Sequence, residues 1–304
     1  MDVKQKVLTK SSLIIYYIYM VYKLSPVLKS YIWGGEELQR IFDFDQDRLA
    51  EAWILSCNKQ GSSGIVGTNK TLFDLFLENI DIVAENAKGN FPLLVKLLCS
   101  SRTLSIQNHP SGKSEFWYIL DCDENSYIYW GLNKDLTKEE LAESIKNSTI
   151  TSHLNKVKVQ KGDCFFVPAG MIHMLGKGIL ALEIQQNLNL TYRIFDFNRR
   201  DSNGNLRELK IKEGVEAADL KKHEVNHPNV LGHGEIVSNQ FFTANLYDSK
   251  KTLSADKKFN FVYIVSGNGK LDDRDVKTGD CFFIEAGHGE YTLSDGLSFI
   301  VIEK

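Results

Sequence analysis

The chain has 304 residues, 43% of them hydrophobic and 25% charged, and a formal net charge of -3, enough apolar material for one large or two modest packed domains. With no basic cluster it lacks the electrostatic footprint of a nucleic-acid binder, so a small-molecule ligand is expected. Five cysteines, an odd number without a C-x-x-C pair, exclude a disulfide framework and point to buried free thiols in a reducing cytoplasm.

Lys4, Lys6 and Lys10 precede the apolar run from Leu13 to Val21 and imitate the opening of a signal peptide. No small-residue cleavage site follows, and the run is too short to cross a bilayer, so no membrane association is expected. Met20 stands directly before the first enzyme-like stretch. Residues 1–19 are therefore read as a non-native or loosely ordered extension.

From Tyr22 to Gly35 the chain reads as a strand closed by two glycines, with Trp33 near its end and Glu51 and Trp53 in the stretch beyond. Apolar Leu72, Phe73, Leu75, Phe76, Ile80 and Val83 recur at helical spacing, which predicts an amphipathic helix over residues 70–87. Phe91 to Leu98 is a buried strand carrying one lysine, Lys96, which must either snorkel at a strand end or point into a polar cavity. Gln107 and His109 lie two apart and so share one face of a strand, and Glu115 begins the next strand after a Pro-Ser-Gly turn.

Aromatic strands follow, and Thr137 with Glu140 predicts a capping box for a helix over 138–147. Val157, Val159 and the run Phe165 to Val167 flank a Gly162-Asp163 turn, read as a hairpin, with Pro168 and Gly170 bending the backbone before His173. Gln107, His109, Glu115 and His173 make an N2O2 donor set suited to a catalytic zinc or another borderline divalent ion, and unlike a Cys-rich structural site. From Ile179 to Gln186, Glu183 and Gln185 share one face, and Arg193 stands on the following strand. Opposite charges on inward faces predict a polar cavity, or else a structural ion pair between Glu183 and Arg193. Residues 199–226 read as a charged connector with a helix near Glu213 to Lys221.

Lys161-Gly-Asp-Cys-Phe-Phe-Val-Pro-Ala-Gly is echoed by Thr278-Gly-Asp-Cys-Phe-Phe-Ile-Glu-Ala-Gly, with Glu290 in the place of His173. A second barrel without the ligand set is expected, and Cys164 and Cys281 then belong to the repeated strand. The predicted fold is mainly β: two jelly-roll barrels with a few covering helices. Residues 20–222 would form the metal-binding catalytic domain and 223–304 a metal-less one.

The spacing G-x5-P-x-G-x2-H resembles a sequence motif of the cupins, which implies that the barrels are cupin-type. Together with Ile32-Trp-Gly-Gly, Phe91-Pro-Leu-Leu-Val-Lys-Leu-Leu, Leu104-Ser-Ile-Gln-x-His-Pro, Gly112-Lys-Ser-Glu, Leu182-Glu-Ile-Gln-Gln and Thr191-Tyr-Arg, it makes the chain resemble the type I mannose-6-phosphate isomerases in their short bacterial form. The resemblance implies one zinc ion held by Gln107, His109, Glu115 and His173. It also implies Arg193 as the catalytic arginine, and Lys113, Glu183, Lys96, Ser105, Glu51 and Trp33 around a sugar-phosphate pocket. The implied reaction interconverts mannose 6-phosphate and fructose 6-phosphate. Asn108 stands where the family usually has an apolar residue, and the segment before Gly112 lacks the family's acidic insertion.

Such an isomerisation needs an electrostatic stabiliser for the developing enediolate, which the metal and Arg193 would supply. It also needs a base, for which Glu183 raised by burial and Lys113 lowered by the metal are both candidates. The competing readings are a cupin that binds or senses a sugar without converting it, and an iron dioxygenase. The presence of Lys113, Glu183 and Arg193 argues against the first, and Gln107 in place of a second histidine against the other.

Overall fold

The computed structural model describes residues 20–45, 48–84, 89–200 and 203–304, so the extension expected over 1–19 lies outside the described residues. The chain divides into two units. One comprises the segment ending at Pro26 together with Lys59–Phe91 and Gly232–Lys304, and the other comprises Val27–Asn58 and Pro92–Leu231. Segments from both sides of residue 222 thus contribute to the first unit.

The first unit is built on antiparallel strands around a core that includes Val21, Val262, Ile264, Phe282, Tyr291 and Phe299. Strand Val21–Ser25 pairs with the repeated strand Cys281–Ile284, Val21 lying opposite Ile284. The single strand read from Tyr22 to Gly35 is therefore two, Val21–Ser25 and Val27–Gly35. Pro26, which cannot donate to a ladder, separates them. The helix predicted over 70–87 is shorter, Leu72–Glu78, followed by a 3-10 turn Ile80–Ile82. Asn79 ends the first and caps the second: its backbone is extended and its side chain accepts from the Asp81 N–H, local chemistry that outweighs the apolar spacing. Residues 85–88 lie outside the described residues.

The second unit carries eleven strands that matter here: β1 (Val27–Gly35), β2 (Leu49–Leu55), β3 (Leu93–Ser100), β4 (Ile106–Asn108), β5 (Glu115–Cys122), β6 (Tyr127–Leu132), β7 (Leu154–Lys158), β8 (Cys164–Val167), β9 (His173–Leu175), β10 (Ile179–Gln186) and β11 (Tyr192–Phe195). They form a six-stranded sheet in the order β8-β5-β10-β3-β2-β1 and a five-stranded sheet in the order β7-β6-β9-β4-β11. Such a two-sheet arrangement is a jelly-roll barrel. Its core gathers Leu98, Ile106, Trp117, Ile119, Ile128, Phe165, Met174 and Ile194.

The segment around Gly162 is not a hairpin, because its two strands join different sheets: β7 pairs with β6 and β8 with β5. Gly162, at φ +91°, donates its N–H to the Ile119 carbonyl at 2.8 Å, and the chain crosses between sheets there. The helix Lys138–Lys146 forms with its Thr137–Glu140 capping box. The connector helix spans Ile211–Ala217 instead of 213–221, since Ala218 turns extended and returns its N–H to Val215.

Candidate active site

Strand register brings the polar residues of the barrel together. Glu183 lies opposite Lys96 on one neighbour and Trp117 on the other, and Gln185 lies opposite Glu115. On the facing sheet His173 is opposite Gln107, and Gln107 is also opposite Arg193. Because side chains alternate across a strand, these registers place the donors on inward faces.

His109, Glu115 and His173 are each about 1% exposed, and their ligand atoms all lie within 4.8 Å of one another. His109 Nε2 is 3.0 Å from Glu115 Oε2, and His173 Nε2 is 3.2 Å from Glu115 Oε1. The outer nitrogens are held from behind: His109 Nδ1 is 3.1 Å from the Leu190 carbonyl and His173 Nδ1 is 2.8 Å from that of Met171. If Nδ1 carries the proton in each ring, the Nε2 lone pairs face the carboxylate, the arrangement a metal-binding histidine adopts. Burial lowers the His109 pKa to about 3, so its imidazole is neutral. Burial works against the charge of Glu115, but the Lys113 ammonium beside it favours the carboxylate, whose pKa is held well below the ordinary value. Glu115 Oε1 is buried with no hydrogen-bond partner. Two imidazoles converging on an ionised carboxylate with an orphaned oxygen fit a divalent cation.

Gln107 joins them, its Nε2 3.4 Å from His173 Nε2 and its Oε1 accepting from Ser105 Oγ at 3.1 Å. Exchanging the two ends of the amide would present the oxygen to the cluster and keep Ser105 as an acceptor. Lys113 Nζ stands 3.2 Å from both ring nitrogens of His109 and 3.5 Å from Glu115 Oε2. Burial lowers its pKa against the pull of Glu115.

Lys96 does not snorkel. It lies mid-strand, 5% exposed, donating to Glu183 Oε1 and Gln185 Oε1 at 2.8 Å each. Burial opposes its charge, yet Glu183 and Glu51 hold its pKa above the ordinary lysine value. The Glu183–Arg193 ion pair, the alternative reading, is not formed. Lys96 and Trp117 Nε1 take the two oxygens of Glu183, and Arg193 Nη1 donates instead to the Glu208 carbonyl at 3.0 Å. Glu51 accepts from Trp53 Nε1 at 2.7 Å. Trp33 is buried in the core cluster and stacked by Tyr31 at 5.7 Å.

The sequence reading passed over Trp117 and Gln185 as site residues. Each is two positions from a residue that it singled out, Glu115 and Glu183, and the period-2 rule could have found both. Asn108 is fully buried and donates to the Gly214 carbonyl at 2.8 Å, which gives its amide a structural use.

A cupin-type barrel with a buried His-Glu-His cluster and the half-buried Gln107 beside it defines the class: a β-barrel protein with a candidate metal centre and a polar interior. The model of the family "Phosphomannose isomerase type I, catalytic domain" matches residues 21–155. Mannose-6-phosphate isomerase ManA of Bacillus subtilis (strain 168) is 33% identical over 304 residues, covering 91% of this chain and 96% of its own. The mannose-6-phosphate isomerase of Streptococcus mutans is 31% identical over 263 residues, or 79% and 83% of the two chains. The crystal structure of the Bacillus subtilis mannose 6-phosphate isomerase superposes with a TM-score of 0.82 at 31% identity, covering 93% of this chain and 99% of that one. The apo enzyme of Salmonella typhimurium shares the fold, with a TM-score of 0.74 at 16% identity over 94% and 99%. The chain belongs to the type I phosphomannose isomerase family, and is accordingly an isomerase.

Proposed function

We propose that the chain is a zinc-dependent aldose–ketose isomerase that interconverts mannose 6-phosphate and fructose 6-phosphate in the cytoplasm through an enediolate. The observation that carries this reading is the burial of His109, Glu115 and His173 in one barrel interior with Lys113, Lys96 and Glu183, and with Gln107 beside them. The chain's mannose-6-phosphate isomerase relatives support the choice of substrate, and five free cysteines support a reducing compartment. Gln107, His109, Glu115 and His173 would hold the ion, which when bound supplies Lewis-acid polarisation of substrate oxygens.

The chain's own groups do the rest. Lys113, beside both His109 and Glu115, moves the proton between the two substrate carbons. Glu183 has both oxygens engaged by Lys96 and Trp117, so it holds Lys96 in place. Lys96 keeps one ammonium donor beyond those given to Glu183 and Gln185, and offers it with Ser105 to the substrate phosphate. Arg193 gives a charge that does not titrate at the oxyanion. Trp33 and Glu51 line the wall.

Purified protein is expected to convert mannose 6-phosphate to fructose 6-phosphate in a coupled assay. A chelator should abolish turnover and zinc restore it, and His173→Ala should lose both bound metal and activity. Full activity after complete metal removal refutes the proposal.

A further inference from the structure

Arg193 sits on β11, the edge strand of its sheet, where no further strand fixes it. What holds it is the chain's return between residues 203 and 210. The Lys210 N–H donates to the Arg193 carbonyl at 2.8 Å, and Arg193 Nη1 donates to the Glu208 carbonyl at 3.0 Å. The returning segment is itself tied down by Asp196, which is only 5% exposed. Arg207 grips that carboxylate with two nitrogens, Nε at 2.7 Å from Oδ2 and Nη2 on Oδ1. Arg199 shares Oδ1 through Nη2, donates from Nε to the Asp196 carbonyl at 3.2 Å, and reaches the Thr103 carbonyl through Nη1.

We propose that Asp196 and Arg207 form a clasp that positions Arg193: by pinning the return segment, they set the Glu208 carbonyl where it fixes the guanidinium. The charges agree with this role. Burial lowers the Arg193 pKa, Arg207 and Arg199 lower it further, and Asp196 opposes them. The carboxylate is what allows three guanidinium groups to gather. A bidentate Arg–carboxylate pair is directional, so it fixes orientation as well as distance, which a lysine cannot reproduce. Arg207 is one residue from Glu208, so loss of the clasp is felt at that carbonyl first. Arg193 would keep its charge and lose its bearing.

The inference rests on the role proposed for Arg193 in the isomerase reading. The test measures kcat and KM for mannose 6-phosphate, thermal midpoint and bound metal in wild-type, Arg207→Ala, Arg207→Lys, Arg193→Lys and Arg193→Lys/Arg207→Ala proteins. Misplacement of a reacting group by about 1 Å costs up to about 100-fold. Arg207→Ala is therefore expected to lose about tenfold or more in kcat with metal content unchanged, and Arg207→Lys to be intermediate. In the Arg193→Lys background, Arg207→Ala should add less than about twofold, because residues acting through one another are not additive. If Arg207→Ala lowers the thermal midpoint, Arg207→Lys is the variant read, and if Arg193→Lys is too slow to assay, the single variants decide. Wild-type kcat in Arg207→Ala, or equal losses in both backgrounds, overturns the clasp alone. An inactive wild-type protein overturns the clasp together with the isomerase reading.

Discussion

Replacing Glu183 by Gln removes a charge from the barrel interior while keeping its volume. Lys96 Nζ lies 2.8 Å from Glu183 Oε1, and the two side chains are 6% and 7% exposed, so water replaces the lost partner poorly. Breaking a buried ion pair from one side costs about 3–5 kcal/mol. Gln185 still accepts from the ammonium at 2.8 Å, which puts the expected loss near the lower end, about 3 kcal/mol. At about 2–4 °C per kcal/mol for a domain of 150–250 residues, the melting temperature should fall by roughly 6–12 °C.

The pH dependence has a definite sign. In the wild type the folded pKa of Lys96 is raised, so the pair stabilises fully below the unfolded lysine value of about 10.4 and fades only as pH climbs through the folded value. In Glu183→Gln, burial, the largest influence on Lys96, is opposed less and the folded pKa drops. The deficit relative to wild type should then shrink as pH rises toward the unfolded lysine value of about 10.4, because a neutral amine is cheaper to bury. Adding Lys96→Met removes the stranded charge and should recover most of the loss. Thermal melts of metal-saturated wild type, single and double variants at pH 7 to 10 check this. A loss below about 1 kcal/mol, or a double variant no more stable than Glu183→Gln, would show that the pair is not isolated from solvent.

Gly170 has φ +87°, and a Cβ there would stand 2.7 Å from the Ala217 carbonyl. Gly170→Ala should cost about 1–3 kcal/mol in a denaturant titration, and it should weaken metal binding because the Gly170 N–H also donates to the His109 carbonyl at 3.0 Å. Zinc at about 100 times its dissociation constant should stabilise the wild type by about 2.7 kcal/mol and leave the melting temperature of His173→Ala unmoved; an equal shift in both proteins would place the ion elsewhere. Cys57, Cys99, Cys164 and Cys281 are buried while Cys122 is partly accessible. A thiol reagent should therefore label the native protein first at Cys122, as peptide mapping would reveal, and early labelling of Cys164, whose pKa burial raises to about 12, would contradict that packing.

Much of the barrel was legible because its signals are local. Period-2 alternation marks Glu183 and Gln185 as sharing a face, and Gln107 and His109 stand two apart, whatever the strand pairs with. The Thr137–Glu140 capping box is complete within four residues and forms as read. The segment after Thr71 went wrong because apolar spacing continues past Asn79 while the backbone does not. The Gly162 turn was misread for a different reason. A glycine between two apolar runs marks a change of direction, but it does not say whether the next strand pairs with the last one or crosses to the opposite sheet.

The sequence alone determined which side chains are available for chemistry: a donor set of Gln107, His109, Glu115 and His173, a lysine inside an apolar strand, and an arginine following a polar alternation. Residue type and spacing are properties of the chain, and they limit what a site can bind. Only the tertiary structure decided how these charges pair. Register set Lys96 against Glu183 and left Arg193 to the Glu208 carbonyl, because electrostatic partners are chosen by distance in space, and residues 87 apart meet only once β3 and β10 have paired side by side in one sheet.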